Sequence, residues 1–111
     1  EYLKKLTAQV KRMFLLEADF FVSLRQWEDA ADRIECVLEI EPKQVHWQRR
    51  YINYLIKAGK EKSVWLPLVE DLIDRPTLPK NIKEGLVKLL ISHDETALVN
   101  KLNMKIEKEL N

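Results

Sequence analysis

Residues 27–42 read W-E-D-A-A-D-R-I-E-C-V-L-E-I-E-P, and this stretch decides the fold. Ala30, Ile34, Val37, Leu38 and Ile40 recur at three- and four-residue spacing, the period of one face of an α-helix. Glu28, Asp29, Asp32, Arg33, Glu35 and Glu39 lie between them and belong in water. Pro42 ends the run, because it has no N–H to donate and its ring clashes with the preceding turn. The spacing predicts an amphipathic helix that begins near Glu28 and stops at Pro42.

The same periodicity extends in both directions. Residues 2–24 read as one long helix with Leu3, Leu6, Val10, Met13, Phe14, Ala18, Phe21 and Val22 on its apolar side. After Pro42 a third helix is predicted from near Gln44 to Lys57, with Gly59 as a left-handed C-terminal cap. Ser63 reads as the N-cap of a fourth helix, 64–74, with Pro67 in its first turn, where a missing N–H is no loss. Thr77 reads as the cap of a fifth, 78–91, with Pro79 in the first turn. Ser92 and Glu95 have capping-box spacing, with Asp94 as the rival N-cap, before a sixth helix to about Leu110. Leu98, Leu102, Ile106 and Leu110 form a single stripe on that last helix. Six helices joined by loops of two to five residues imply antiparallel neighbours.

Composition agrees with an all-α chain. Two glycines and four prolines in 111 residues are too few for the many tight turns of a β-rich fold. The length suits one domain or a short repeat array. The net charge of +1 gives no global pull toward nucleic acid or membrane. Cys36 is the only cysteine, so no internal disulfide can form. That suits a reducing, cytoplasmic compartment and leaves an exported fragment open. No apolar run approaches the ~20 residues of a membrane span, and no signal-peptide pattern is present. The chain begins at Glu1 and not at Met, so it is expected to be a piece of a longer protein.

No pattern of catalytic chemistry appears. Glycine-rich phosphate loops, G-x-S-x-G and H-E-x-x-H are all lacking. His46 and His93 stand far apart, with no second Cys or His at ligand spacing. Cys36 has no base placed beside it by any motif and reads as a small packing residue. Trp47 and Trp65 likewise read as packing residues and not as stacking platforms. The sequence therefore predicts no enzyme, no cofactor and no metal site.

Shifting the chain by 34 residues overlays its punctuation. Pro42 falls on Pro76; Arg25 falls on Gly59 and then His93. Ala18 falls on Ile52 and then Leu86, and Ala30 on Val64 and then Leu98. A helix–turn–helix period of 34 is that of tetratricopeptide (TPR) repeats, and the chain resembles this family in degenerate form. The match is best over 11–44. There Phe14 and Phe21 stand for the early aromatics, Ala18 and Ala30 for the small contact residues, Trp27 for the aromatic opening the second helix, and Pro42 for the terminal proline. Arg25 replaces the glycine of the internal turn. The second unit, 45–78, keeps Gly59 and Pro76 but carries Ile52 and Val64 at the close contact, which implies wider helix spacing. The third, 79–111, keeps only the apolar rhythm. The resemblance implies one domain over 1–111, an α-solenoid in which antiparallel hairpins stack as a right-handed superhelix.

The resemblance also implies a concave face built from the first helix of each pair. It would present Arg12, Asp19, His46, Arg49, Asn53, Lys57, Lys80 and Lys83 to a partner. Spacing supports part of this independently, since His46, Arg49 or Arg50, Asn53 and Lys57 share the polar side of the third helix. Charge is segregated as well: residues 28–41 hold six acids and one base, and 43–62 hold six bases and one acid. A cationic stripe with an amide suits an acidic peptide; it also suits a solvated face partly paired with the acidic helix. Chaperone-binding members of the family clamp a terminal carboxylate with basic and amide residues. Leu15, Asp19, Lys80 and Glu84 occupy those places here, and only Lys80 matches, so chaperone-tail binding is not expected. The function implied is a protein-binding scaffold. The alternative is a structural spacer or oligomerisation segment, with self-association. A third reading, single-stranded RNA binding, draws on the cationic segment with Trp47, Tyr51 and Tyr54 and is opposed by the even global charge.

Overall fold

The computed structural model describes residues 2–110 in backbone and 2–108 in side chain. The chain is all-helical. It runs α1 (Tyr2–Ser23), α2 (Trp27–Ile40), α3 (Val45–Lys57), α4 (Lys62–Ile73), α5 (Lys80–Ser92) and α6 (Thr96–Leu110), with no strand among the described residues. It divides into two compact units, Glu1–Leu68 and Val69–Asn111, and the division falls inside α4. In the first unit α1 packs closely on α2 and α2 on α3; in the second α5 packs on α6.

Three of the connections are the same turn. Arg25, Gly59 and Asp94 all have positive φ, at 57°, 81° and 58°. In each case the next residue's N–H reaches back to the helix: Gln26 to the Phe21 carbonyl at 2.9 Å, Lys60 to Leu55 at 3.0 Å and Glu95 to Leu90 at 2.9 Å. A second bond, closing a tighter loop, accompanies each, from Arg25 to Val22 at 2.9 Å, Gly59 to Ile56 at 3.0 Å and Asp94 to Ile91 at 3.2 Å. This paired pattern closes a helix by satisfying two of its last carbonyls. Arg25 departs from glycine in sequence yet takes the left-handed conformation. His93, which the 34-residue shift aligns with Gly59, does not; Asp94 holds the left-handed position one residue later.

Only Gly59 takes this conformation without a Cβ penalty, and a Cβ there would meet nothing within 4 Å. Gly59→Ala is therefore expected to cost about 1 kcal/mol, all of it conformational. Arg25→Gly is expected to stabilise by about 0.5–1 kcal/mol, the relieved strain less the extra freedom of the unfolded chain. Urea denaturation of both variants checks the pair; a destabilised Arg25→Gly would mean that the arginine side chain holds the turn.

Several predicted boundaries move. α4 begins at Lys62, and the Val64 N–H bonds the Glu61 carbonyl at 2.9 Å, so Ser63 lies inside the helix and does not cap it. Pro67 consequently sits in the helix interior, not in the first turn. Its missing N–H leaves the Ser63 carbonyl without its intrahelical donor. α5 begins at Lys80 and not at Leu78, because a proline drives the residue before it out of the helical region. Pro79 itself is the N-cap, with its carbonyl accepting from Ile82 and Lys83, both at 3.1 Å. Ser92 closes α5, its Oγ donating to the Leu89 carbonyl at 2.7 Å. Neither Ser92 nor Asp94 caps α6; Val99 bonds back to the Glu95 carbonyl at 3.0 Å.

The core follows the periodic residues of α2 closely: Ala30, Ile34 and Val37 are fully buried, and Ala18 of α1 with them. In the second helix pair the register slips by one. Two residues, Lys60 and Glu61, separate Gly59 from α4, where a single residue, Gln26, separates Arg25 from α2. Trp65 is therefore buried at 2% exposure while Val64 is 49% exposed. Val64 does not occupy the close-contact position that the 34-residue shift assigns to it. In the second unit Ile82, Leu86 and Leu90 of α5 and Leu102 of α6 are buried. Of the predicted α6 stripe, Leu98 and Ile106 are half-buried, and the Leu110 side chain lies outside the described residues.

α1 differs most from expectation. Phe14, Ala18, Phe21 and Val22 turn inward as predicted, but Leu3, Leu6 and Met13 are exposed, together with Leu16 and Phe20. The helix carries two apolar faces, and only one of them is covered within the chain.

Candidate functional site

α3 presents a solvent-facing polar row. His46, Arg49, Asn53 and Lys57 are all exposed, and their spacing places them along one side of the helix. Among the described residues, His46, Arg49 and Asn53 have no ion-pair or side-chain hydrogen-bond partner. Lys57 differs: its Nζ lies 4.5 Å from the centre of the Trp27 ring, a cation–π contact that holds the ammonium against the ring.

The choice between Arg49 and Arg50 is made by α1. Arg50 donates from Nη2 to Asp19 Oδ1 at 2.9 Å and to the Tyr54 hydroxyl at 2.7 Å, and from Nε to the same hydroxyl at 3.0 Å. Its guanidinium also lies 5.8 Å from the Trp47 ring and 5.4 Å from the Tyr54 ring. Burial by itself would lower the Arg50 pKa; the Tyr54 hydroxyl and the Asp19 carboxylate outweigh it and hold the guanidinium above its ordinary value. Arg50 is thus a brace between α1 and α3, and Arg49 is the exposed arginine with no ion-pair partner among the described residues. Tyr54 and Leu55 are buried and Trp47 and Tyr51 half-buried, as the packing side of α3 requires. Arg12 and Asp19 are exposed on α1, with Asp19 engaged by Arg50.

Two of the five acids of α2, and Glu41 just past it, are taken by neighbours outside the α3 row. Glu28 accepts from Lys60 at 3.0 Å, Glu35 from the Tyr51 hydroxyl at 3.1 Å, and Glu41, just past the helix, from Lys11 of α1. Arg33 of α2 pairs with Glu17 of α1 at 3.3 Å. The charged pairs are about a third exposed or more, and each contributes ~0–1 kcal/mol. They leave the exposed row of α3 without its neutralising partner.

Tyr51 gives a titratable handle on this packing. Burial first, and then its bond to Glu35 with the nearby Asp32 charge, push its pKa from 10.0 up to about 12. The folded state favours the protonated hydroxyl, so its contribution to stability is whole below pH 10 and is lost as pH rises toward 12. An ultraviolet titration is expected to show a late phenolate step that Tyr51→Phe removes. A late step that persists in that variant would place the effect on another tyrosine.

Two predicted site residues belong to the other compact unit. Lys80 is exposed. Lys83 is buried, at 7% exposure, which removes it from any solvent-facing row; its predicted accessibility is corrected here. It lies on the same face of α5 as Ile82, Leu86 and Leu90, where the apolar stripe sweeps past position 83. The sequence does not single out Lys105, whose Nζ donates to the Ile73 carbonyl at 2.7 Å and so closes the C-terminal end of α4. Burial lowers its pKa first, and Lys83 and Lys101 add repulsion that Asp74 partly opposes.

Cys36 is a free, half-buried thiol. Among the described residues no group of three or more His, Cys, Asp or Glu side chains is placed to hold a metal ion, and no helix is long and apolar enough to cross a membrane. Compared with known proteins, the chain matches no family model, no curated protein and no solved structure.

Proposed function

We propose that this chain is a non-catalytic protein–protein interaction scaffold that takes an acidic peptide segment along the exposed face of α3. The observation that carries this reading is the unpaired row of His46, Arg49 and Asn53, continued by the ring-anchored Lys57. Arg49 supplies a planar fork for a carboxylate, and Lys57 a point charge held in place before the ligand arrives. Asn53 both donates and accepts, so it can pair with a peptide backbone lying between them. The Arg50–Asp19–Tyr54 brace stiffens the helix that carries the row. We read the hairpins as succeeding one another in a TPR-like right-handed superhelix, and the three equivalent left-handed turns at Arg25, Gly59 and Asp94 support that reading. An elongated small-angle scattering profile is expected, and a spherical one would count against the stack.

The binding role is tested with glutamate-rich peptides against the wild-type chain and the double variant Arg49→Glu/Lys57→Glu. Reversing both charges is expected to weaken binding by roughly 10- to 100-fold, at unchanged helical content. Affinity of the wild type should fall with added salt. Equal affinity in the double variant would take α3 out of the interface.

A further inference from the structure

The second apolar face of α1 is built like the seam of a helix pair. Tyr2, Leu6, Met13, Leu16, Phe20 and Leu24 are all exposed, at 77%, 44%, 49%, 60%, 59% and 50%. With Gln9, the positions 2, 6, 9, 13, 16 and 20 step by four and three in alternation, which is the heptad spacing of a coiled-coil seam. At 3.6 residues per turn these residues fall in a narrow stripe about half a turn away from Ala18, the fully buried residue on the α2-facing side. The six apolar side chains expose on the order of 600 Å², more than the few hundred Å² of contiguous apolar surface that monomers usually leave in water.

We propose that this face is closed by α1 of a second copy of the chain, packed antiparallel. Charge decides the orientation. Residues 2–12 carry Lys4, Lys5, Lys11 and Arg12 and no acid; residues 13–23 carry Glu17 and Asp19 and no base. Lys4 and Lys11 lie on the Ala18 side of the helix, where Lys11 pairs with Glu41, so Lys5 and Arg12 are the cations that flank the stripe. Antiparallel packing sets Arg12 beside Asp19 of the second copy, whose side chain is 65% exposed, whereas parallel packing offers Arg12 only Glu17, which is 38% exposed and held by Arg33. With Met13 against Leu16 of the second copy, Arg12 flanks the seam opposite Asp19 of that copy, and the two-fold axis repeats both contacts. The area on offer approaches that of a standard interface, which buries ~800 Å² per partner, once the arms of the flanking Lys5 and Arg12 are added to the apolar stripe. Two polar seam members, Gln9 and Ser23, fall opposite Phe20 and Leu6 of the second copy.

Sedimentation equilibrium of the 111-residue chain tests this. The wild type is expected to rise with concentration from 13.2 kDa to twice that mass. Leu16→Glu, at an exposed position that folding does not use, should weaken dimerisation at least about tenfold while the helical circular dichroism stays unchanged. Arg12→Glu should also weaken it. A chain that stays at 13.2 kDa up to high micromolar concentration overturns the proposal. So does a dimer that survives Leu16→Glu, or a stripe that becomes covered only when a different protein is added. Leu16 lies outside the α3 row, so loss of dimer and loss of peptide binding are read separately.

Discussion

Trp65→Ala is expected to remove about 3–5 kcal/mol of stability, enough to unfold a marginal domain at ordinary temperature. Trp65 is the largest of the fully buried side chains, at 2% exposure, and lies in the first half of α4. Truncation loses the transfer free energy of the indole and leaves a void that helices on rigid backbones fill only in part. α4 is also the helix least able to absorb the loss, because Pro67 has already removed one of its backbone bonds. The neighbouring Val64→Ala is the matched control: Val64 is 49% exposed and should change stability by less than ~0.5 kcal/mol. Urea denaturation of the two variants decides between registers. A large loss at Val64 and a small one at Trp65 would mean that the register slip in α4 is not real.

Ala30→Trp is expected to be nearly as damaging, for the opposite reason. Ala18 and Ala30 are both fully buried where α1 and α2 pack closely. An indole at position 30 has no room unless the two helices part, and forced repacking costs ~3 kcal/mol or more. Separation would break the flanking links as well, among them Arg33–Glu17 and Lys11–Glu41, though these exposed pairs add little by themselves. Unfolding at much lower urea concentration than the wild type is the expected result. Wild-type stability in this variant would show that α1 and α2 do not approach each other closely at that point.

Much of the fold is written in short-range pattern. Of the five α2 residues placed on one face by spacing alone, Ala30, Ile34 and Val37 are buried, and Leu38 and Ile40 are half-buried. Six helices are legible because each is marked by its own period and bounded by proline, glycine or polar turn residues. The ends are less legible. Ser63, Thr77 and Ser92 have capping chemistry, yet the helices begin at Lys62, Lys80 and Thr96. A capping side chain is worth about 1 kcal/mol, and a shift of two residues to bury a residue such as Trp65 gains more. Arg25 shows the same ordering from the other side: it accepts a left-handed backbone because the turn closes two hydrogen bonds and lets α2 pack.

The candidate site was half legible. Spacing picked out the polar side of α3, but it could not tell Arg49 from Arg50, because the acid that takes Arg50 sits on α1 at Asp19. Nor could it tell that Lys83 would be buried, since its neighbours on α5 read equally well as a mixed surface.

By itself the sequence determined that the chain is helical, how many helices it has, and which residues of α2 form a core. Those properties depend on contacts within one or two turns, and the order of residues fixes them directly. Tertiary structure alone decided which of the two apolar faces of α1 is covered, which arginine of α3 is tied down, and which residue of α4 fills the interior. Each of those outcomes depends on what another helix brings across the gap, and no period within a single helix encodes its neighbour.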